Sequence, residues 1–267
     1  MKIRKVLCKS ILNKSRIYGV DYAINPFTGC QHGCLYCYAT FMKKYTSHKE
    51  EWGEFVDVKI NAPIVLKRQL RRIKKGRVLI SSVTDAYQNL EKEFKVTRKC
   101  LELLKNSKLE VSILTKSPLV LRDLDLLCEM EIDVGFTITT LDGIYKKFEI
   151  NAPSPASRLR ALEKLSDEGV STWVFFGPVL PFISDDFESI QDLLSSIKPY
   201  VSHITVDKMN LYRRVFARLK KMLSEEYPEL VLKYRKIMRD GVRYERELRE
   251  RIEVIAKNEK VRVEFCF

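Results

Sequence analysis

The sequence predicts an α/β protein built on a parallel sheet, and three observations carry that expectation. Short runs of strand type recur, amphipathic helical segments fall between them, and each connection is long enough for a crossover. The first strand is expected around Asp21–Phe27 and the second at Val78–Val83. A helix follows near Val96–Asn106, then the strand Leu109–Thr115 and a helix near Leu119–Met130. The strand Ile132–Thr139 leads to the helix Pro155–Glu168, which Gly169 closes. Ser171–Phe176 is the fifth strand; a helix near Asp186–Ile197 and the strand His203–Val206 complete six βα units. Periodicity by itself says only α/β. A chain of 267 residues is long enough to bury a large core of this kind.

After about Leu211 the pattern changes to long, charged helical sequence, at Leu211–Leu223, Glu229–Met238 and Tyr244–Ala256, with Pro228 and Gly241 as breaks. A last strand is expected at Val261–Phe265. We therefore divide the chain into 1–210, with a basic N-terminal segment, and a mostly helical C-terminal extension, 211–267, packed on the first part.

The net charge of +13 is concentrated. Residues 1–20 hold six cations and no acid, and residues 67–77 hold seven cations and no acid. In the second segment Asn61-Ala-Pro63 starts a helix, and Leu66, Leu70 and Ile73 share one face. The remaining cations repel one another unless an anionic partner lies nearby, and nucleic acid phosphate is the natural candidate. A merely solvated basic face is the competing reading. Arg213, Arg214, Arg218, Lys220 and Lys221 offer a further phosphate contact. No apolar run is long enough to span a bilayer and no signal peptide opens the chain, so a cytoplasmic setting is expected.

Chemistry concentrates in Asn25-Pro-Phe-Thr-Gly-Cys-Gln-His-Gly-Cys-Leu-Tyr-Cys-Tyr-Ala39. Cys30, Cys34 and Cys37 stand as Cys-x3-Cys-x2-Cys. Three thiolates at this spacing can hold three irons of a four-iron cluster and leave the fourth iron open to a substrate or cofactor. A structural zinc is the competing reading, and it would need His32, His48 or His203 as fourth ligand without the usual second pair. Cys8, Cys100, Cys128 and Cys266 read as small buried hydrophobes.

The cysteine spacing, with Tyr36 before the third thiol, resembles the signature of the radical S-adenosylmethionine (SAM) enzymes. The longer string, Asn25-Pro26 through Gly29-Cys30, then His32-Gly33-Cys34 and Tyr36-Cys37-Tyr38-Ala39, resembles the branch related to spore photoproduct lyase. The resemblance implies a partial (βα)6 TIM-like barrel, a 4Fe-4S cluster on the three cysteines, and SAM on the open iron. It implies that Ser82, Thr84 and Asp85, at the end of the second strand, bind the SAM amino group. It places Thr115, Lys116 and Ser117 near the SAM carboxylate and ribose, and Arg158 is a candidate fork for that carboxylate. Tyr36 belongs to the same cofactor site, and Gly177 before Pro178 would let backbone approach adenine. Each polar strand end also has a plainer reading as a cap for the next helix.

The implied reaction is reductive cleavage of SAM to a 5′-deoxyadenosyl radical, which takes hydrogen from a substrate, with nucleic acid bound through 1–20 and 67–77. A reducing partner such as ferredoxin or flavodoxin would supply the electron. Spore photoproduct lyases use a cysteine hydrogen donor in the segment corresponding to Val78–Asp85, which here has no thiol. Tyr87 or Tyr38 is the candidate replacement as a radical relay. A peptide or small molecule as substrate, and a non-enzymatic nucleic-acid-binding protein with a structural metal, are the alternatives.

Overall fold

A computed structural model describes residues 1–267. The strands are β1 (Lys2–Val6), β2 (Leu12–Lys14), β3 (Tyr22–Ile24), β4 (Phe27–Thr28), β5 (Phe55–Lys59), β6 (Arg77–Ile80), β7 (Glu110–Thr115), β8 (Ile132–Thr137), β9 (Ser171–Val179), β10 (Ile204–Lys208) and β11 (Val263–Phe265). The six expected βα strands are β3, β6, β7, β8, β9 and β10, and they lie side by side in chain order, all parallel. β11 adds in parallel at one edge and β2 antiparallel at the other, so the eight-stranded sheet stays open. A second sheet, β1-β5-β4, was not expected. Its strands lie far apart in sequence and carry no clear alternation, so only the tertiary fold pairs them.

Period-two alternation builds the core. Val78, Ile80, Val111, Ile113, Val134, Phe136, Val174, Phe176, Ile204 and Val206 are fully or almost fully buried against the helices. The covering helices are α1 (Ala62–Gln69), α2 (Glu91–Phe94), α3 (Val96–Leu104), α4 (Leu124–Leu127), α5 (Tyr145–Phe148), α6 (Pro155–Asp167) and α7 (Phe187–Ile197). Side-chain caps mark two of them: Ser154 accepts from the Ser157 amide and Asp186 from the Ser189 amide. The helix expected near Leu119–Met130 is instead a 3₁₀ segment, Pro118–Asp123, followed by the single turn of α4. Ser117 caps it and Pro118 opens it, which favours a tight first turn.

The last three helices are α8 (Arg213–Glu226), α9 (Pro228–Arg239) and α10 (Val242–Glu259). α10 packs on α7, whereas α8 packs its apolar face on the cysteine loop. A second core joins Cys34, Tyr36 and Phe148 to Val215, Phe216, Leu219 and Leu223 of α8, and to Leu230 and Tyr234 of α9. No helix is long and apolar enough to cross a membrane.

Of the four cysteines outside the loop only Cys100 is buried; Cys8 is half-buried, and Cys128 and Cys266 are exposed. The two basic segments meet. Asn61 holds Cys8 through a bond from the Cys8 amide (2.8 Å) and one to its carbonyl (3.0 Å). The Gln69 side chain accepts from the Ile11 and Leu12 amides at 3.0 Å. Residues 67–77 run into the amino end of β6.

Candidate active site at the cysteine loop

The loop from Gly29 to Tyr38 is pinned from three directions, all from segments that follow the carboxyl ends of strands. After β6, the Thr84 hydroxyl donates to the Gly29 carbonyl at 2.6 Å, and the Gln88 carboxamide accepts from the Gln31 amide at 2.9 Å. After β8, the Leu35 amide donates to the Phe148 carbonyl at 2.8 Å and the Asn151 amide to the His32 carbonyl at 3.0 Å. From α8, Arg218 donates to the Cys34 carbonyl at 2.8 Å, the Leu35 carbonyl at 3.1 Å and the Gly33 carbonyl at 3.3 Å. Arg218 was expected to contact phosphate. Its guanidinium instead holds the loop, because three loop carbonyls lie within reach of its fork.

Cys30 and Cys34 are buried and Cys37 is half-buried. Burial pushes all three thiols up, Cys30 furthest and Cys34 to about 12. Lys116 and Arg218 oppose that rise at Cys37, and Lys116 opposes it at Cys34. A cationic centre would bind these sulfurs as thiolates, with release of their protons. The histidines that a zinc site would recruit are committed elsewhere. His48 gives both ring nitrogens to Glu50 (3.0 Å) and Asp57 (2.8 Å), and His203 stacks on Trp173. His32 lies against Asp85 at 3.5 Å. Three soft sulfurs with cations behind them and no committed fourth ligand fit an iron–sulfur cluster with one open iron.

The other expected residues divide. Ser82 is half-buried; its amide and hydroxyl bond to the Asn25 side chain at 3.0 and 2.9 Å, and the Tyr38 hydroxyl donates to its carbonyl. Ser81 before it has φ +80°, a costly conformation for serine that turns the chain sharply at the strand end. Thr84 spends its hydroxyl on the cysteine loop. Asp85, expected to bind an amino group, is buried and occupied. It accepts from Thr115 Oγ1 and from the Tyr87 and Lys116 amides, each at 2.8 Å. Thr115 is thereby a brace, and Ser117 is the cap of the following 3₁₀ segment.

Arg158 requires a correction. It is fully buried, and its guanidinium bonds Glu149, the Thr137 carbonyl (2.9 Å) and the Pro153 carbonyl, leaving no fork for a ligand carboxylate. Lys116 is the cation left over. Its ammonium stands 5.6 Å from the centre of the Tyr36 ring and makes no hydrogen bond. Burial would push it down, but Cys34 and Glu149 reverse the sign and hold it above its ordinary value. Tyr36 itself is buried and donates to Glu149.

Gly177 precedes a cis proline, and a Cβ there would collide with the Phe175 ring, so the residue makes room for Phe175. Tyr87 also requires correction. It is fully buried in the main core and donates to Asp123 at 3.1 Å, walled off from the thiols. Tyr38 is half exposed beside Ser82 and Asp207, on the open side. The segment 67–77 precedes β6, whereas the thiols lie past the carboxyl end of that strand. Its cations therefore stand at the opposite end of β6 from the thiols.

Glu149, Asn25 and Trp52 were not singled out in the sequence. Asn25 opens the cysteine motif, which was a usable signal. Glu149 and Trp52 have no local one.

A sequence profile of the radical SAM superfamily matches residues 24–194. An uncharacterized protein of Methanocaldococcus jannaschii is 38% identical over 231 residues, covering 86% of this chain and 85% of that protein. An uncharacterized protein of Mycobacterium tuberculosis is 31% identical over 265 residues, covering 93% of this chain and 78% of that one. Among solved structures, spore photoproduct lyase complexed with dinucleoside spore photoproduct has a TM-score of 0.74 at 16% identity, over 98% of this chain and 82% of that chain. A variant of that lyase with bound AdoMet and dinucleoside spore photoproduct has a TM-score of 0.65 at 17% identity, over 85% and 66%. At such identities the likeness is one of fold.

Proposed function

The chain belongs to the radical SAM superfamily, and from that premise we propose that Cys30, Cys34 and Cys37 hold a 4Fe-4S cluster in an enzyme that acts on nucleic acid. The observation that carries the cofactor reading is three thiols on one pinned loop, two of them buried, beside one cation that makes no hydrogen bond, Lys116. When bound, the cluster and SAM together supply an electron and a 5′-deoxyadenosyl radical that removes hydrogen from the substrate. A one-electron donor such as ferredoxin or flavodoxin is the partner this chemistry needs.

The chain's own residues orient and shield. Lys116 pairs with the SAM carboxylate, the role the buried Arg158 cannot take. Ser82, placed by Asn25, receives the amino group. Arg218 and α8 close one side of the loop and keep water from the sulfurs. Tyr38, half exposed at the rim, is the remaining relay candidate.

Nucleic acid is favoured by the rim beyond β10, where exposed Tyr212 precedes exposed Arg213 and Arg214, and by exposed Lys44 and Tyr45 after the cysteines. Aromatic faces interleaved with cations suit stacked bases and phosphates. The test is anaerobic reconstitution followed by dithionite and SAM. About four irons per chain are expected, with 5′-deoxyadenosine that disappears in Cys30→Ala, Cys34→Ala and Cys37→Ala. Iron-free protein, or a cluster that never cleaves SAM, would refute the cofactor reading. Oligonucleotide binding that weakens steeply with salt is expected for the substrate class; salt-independent binding or none would point to a peptide or small molecule.

A further inference from the structure

Trp52 sits in the connection that leads into β5, with its ring edge-on to Phe55 at 5.8 Å. It is only 6% exposed and packs with Cys30, Ala39 and Phe55, with Cys37 against the same cluster. Its indole Nε1 is the one buried side-chain nitrogen or oxygen without a hydrogen-bond partner. A buried N–H left unpaired costs roughly 1–3 kcal/mol, so its persistence beside two of the three loop cysteines asks for an acceptor. The polar atoms packed beside it are sulfurs, those of Cys30 and Cys37, and neither free thiol forms a hydrogen bond with it. A neutral thiol accepts weakly, whereas a thiolate accepts strongly.

The seat of the indole is fixed relative to the loop. Gly53, with φ +105°, lies so close to Gly33 that a Cβ would stand 2.8 Å from the Gly33 Cα. No larger residue fits at Gly53, where the Trp52 turn meets the Gly33 turn.

We propose that Trp52 is a positioning residue whose indole N–H hydrogen-bonds the cluster-ligating sulfur of Cys37 and raises the potential at which the cluster accepts its electron. This rests on the cluster reading above. A donor to a ligating sulfur stabilises the more negative, reduced state of the centre more than the oxidised one. Trp52→Phe keeps the ring and removes the N–H.

The experiment compares reconstituted full-length wild type and W52F by redox titration followed by electron paramagnetic resonance. The expected result is a roughly tenfold shift of the one-electron equilibrium toward the oxidised cluster in W52F, about 59 mV more negative. A second measurement needs no variant: with 15N-indole-labelled tryptophan, the reduced wild-type cluster is expected to show a nitrogen coupling. The other tryptophan does not compete, since Trp173 Nε1 donates to Asp133 at 2.7 Å. Equal midpoints overturn the proposal, and so does absence of the coupling, which decides alone if W52F fails to hold iron. A wild type that binds no iron overturns the cluster reading itself, and this inference with it.

Discussion

Two buried networks of this protein use the same ingredients and do different work. Around Glu149 stand Arg158, the Tyr36 hydroxyl and Thr139, with Lys116 beside them. Around Asp123 stand Arg122, Arg98 and the Tyr87 hydroxyl, with Glu91 bound to the same Arg122. Each has a buried carboxylate, an arginine and a tyrosine. The Asp123 network lies among the helices and its charges are matched by partners, Arg98 reaching out as far as Asp125. The Glu149 network backs onto Cys34 and leaves Lys116 unspent. The two glutamates, Glu91 and Glu149, are also shifted in opposite senses. Burial pushes Glu91 up, whereas Arg158 and Lys116 overcome burial at Glu149 and hold it below its ordinary value. What sets the Glu149 network apart is therefore bonding capacity left over, not buried charge as such.

Substitutions sharpen this contrast. Arg158→Leu strands Glu149 in the core and is expected to cost about 3–5 kcal/mol in denaturant unfolding. A loss of SAM affinity at unchanged stability would instead restore Arg158 as a ligand residue. Lys116→Met removes a cation that makes no hydrogen bond within the chain, although it faces the Tyr36 ring and the charge of Glu149. Stability should fall less than in Arg158→Leu, while SAM binding measured by equilibrium titration weakens about 10–100-fold, the value of one charge-assisted contact. Unchanged SAM affinity would erase the distinction drawn between the two networks. The smallest effect is expected at Tyr87→Phe, about 1 kcal/mol of stability and no change in 5′-deoxyadenosine formation. If that variant lost turnover at full stability, the Asp123 network would belong to the chemistry after all.

Some of this was readable along the chain. The six parallel strands show as local apolar runs, and Ser154 and Asp186 announce their helices as caps. The three cysteines lie within eight residues, so their nearness on one loop was legible. Arg158 was drawn to the right place for the wrong purpose. Its partner Glu149 is nine residues away, across a turn, and no helical or strand period links the two. Tyr87, close in sequence to Ser82 and Thr84, turns away because the left-handed Ser81 and the braced Asp85 redirect the chain.

By itself, then, the sequence determined the fold class, the run of strands and the clustering of three cysteines in one loop, because each rests on contacts or patterns a few residues long. Only the tertiary structure decided which charges remain available. It bound Arg218 to carbonyls more than 180 positions away, enclosed Arg158 against Glu149, left Lys116 beside Cys34 and left the Trp52 N–H unpaired beside Cys30 and Cys37. Whether a buried polar group is free or spent depends on every neighbour that could satisfy it, and those neighbours come from distant parts of the chain.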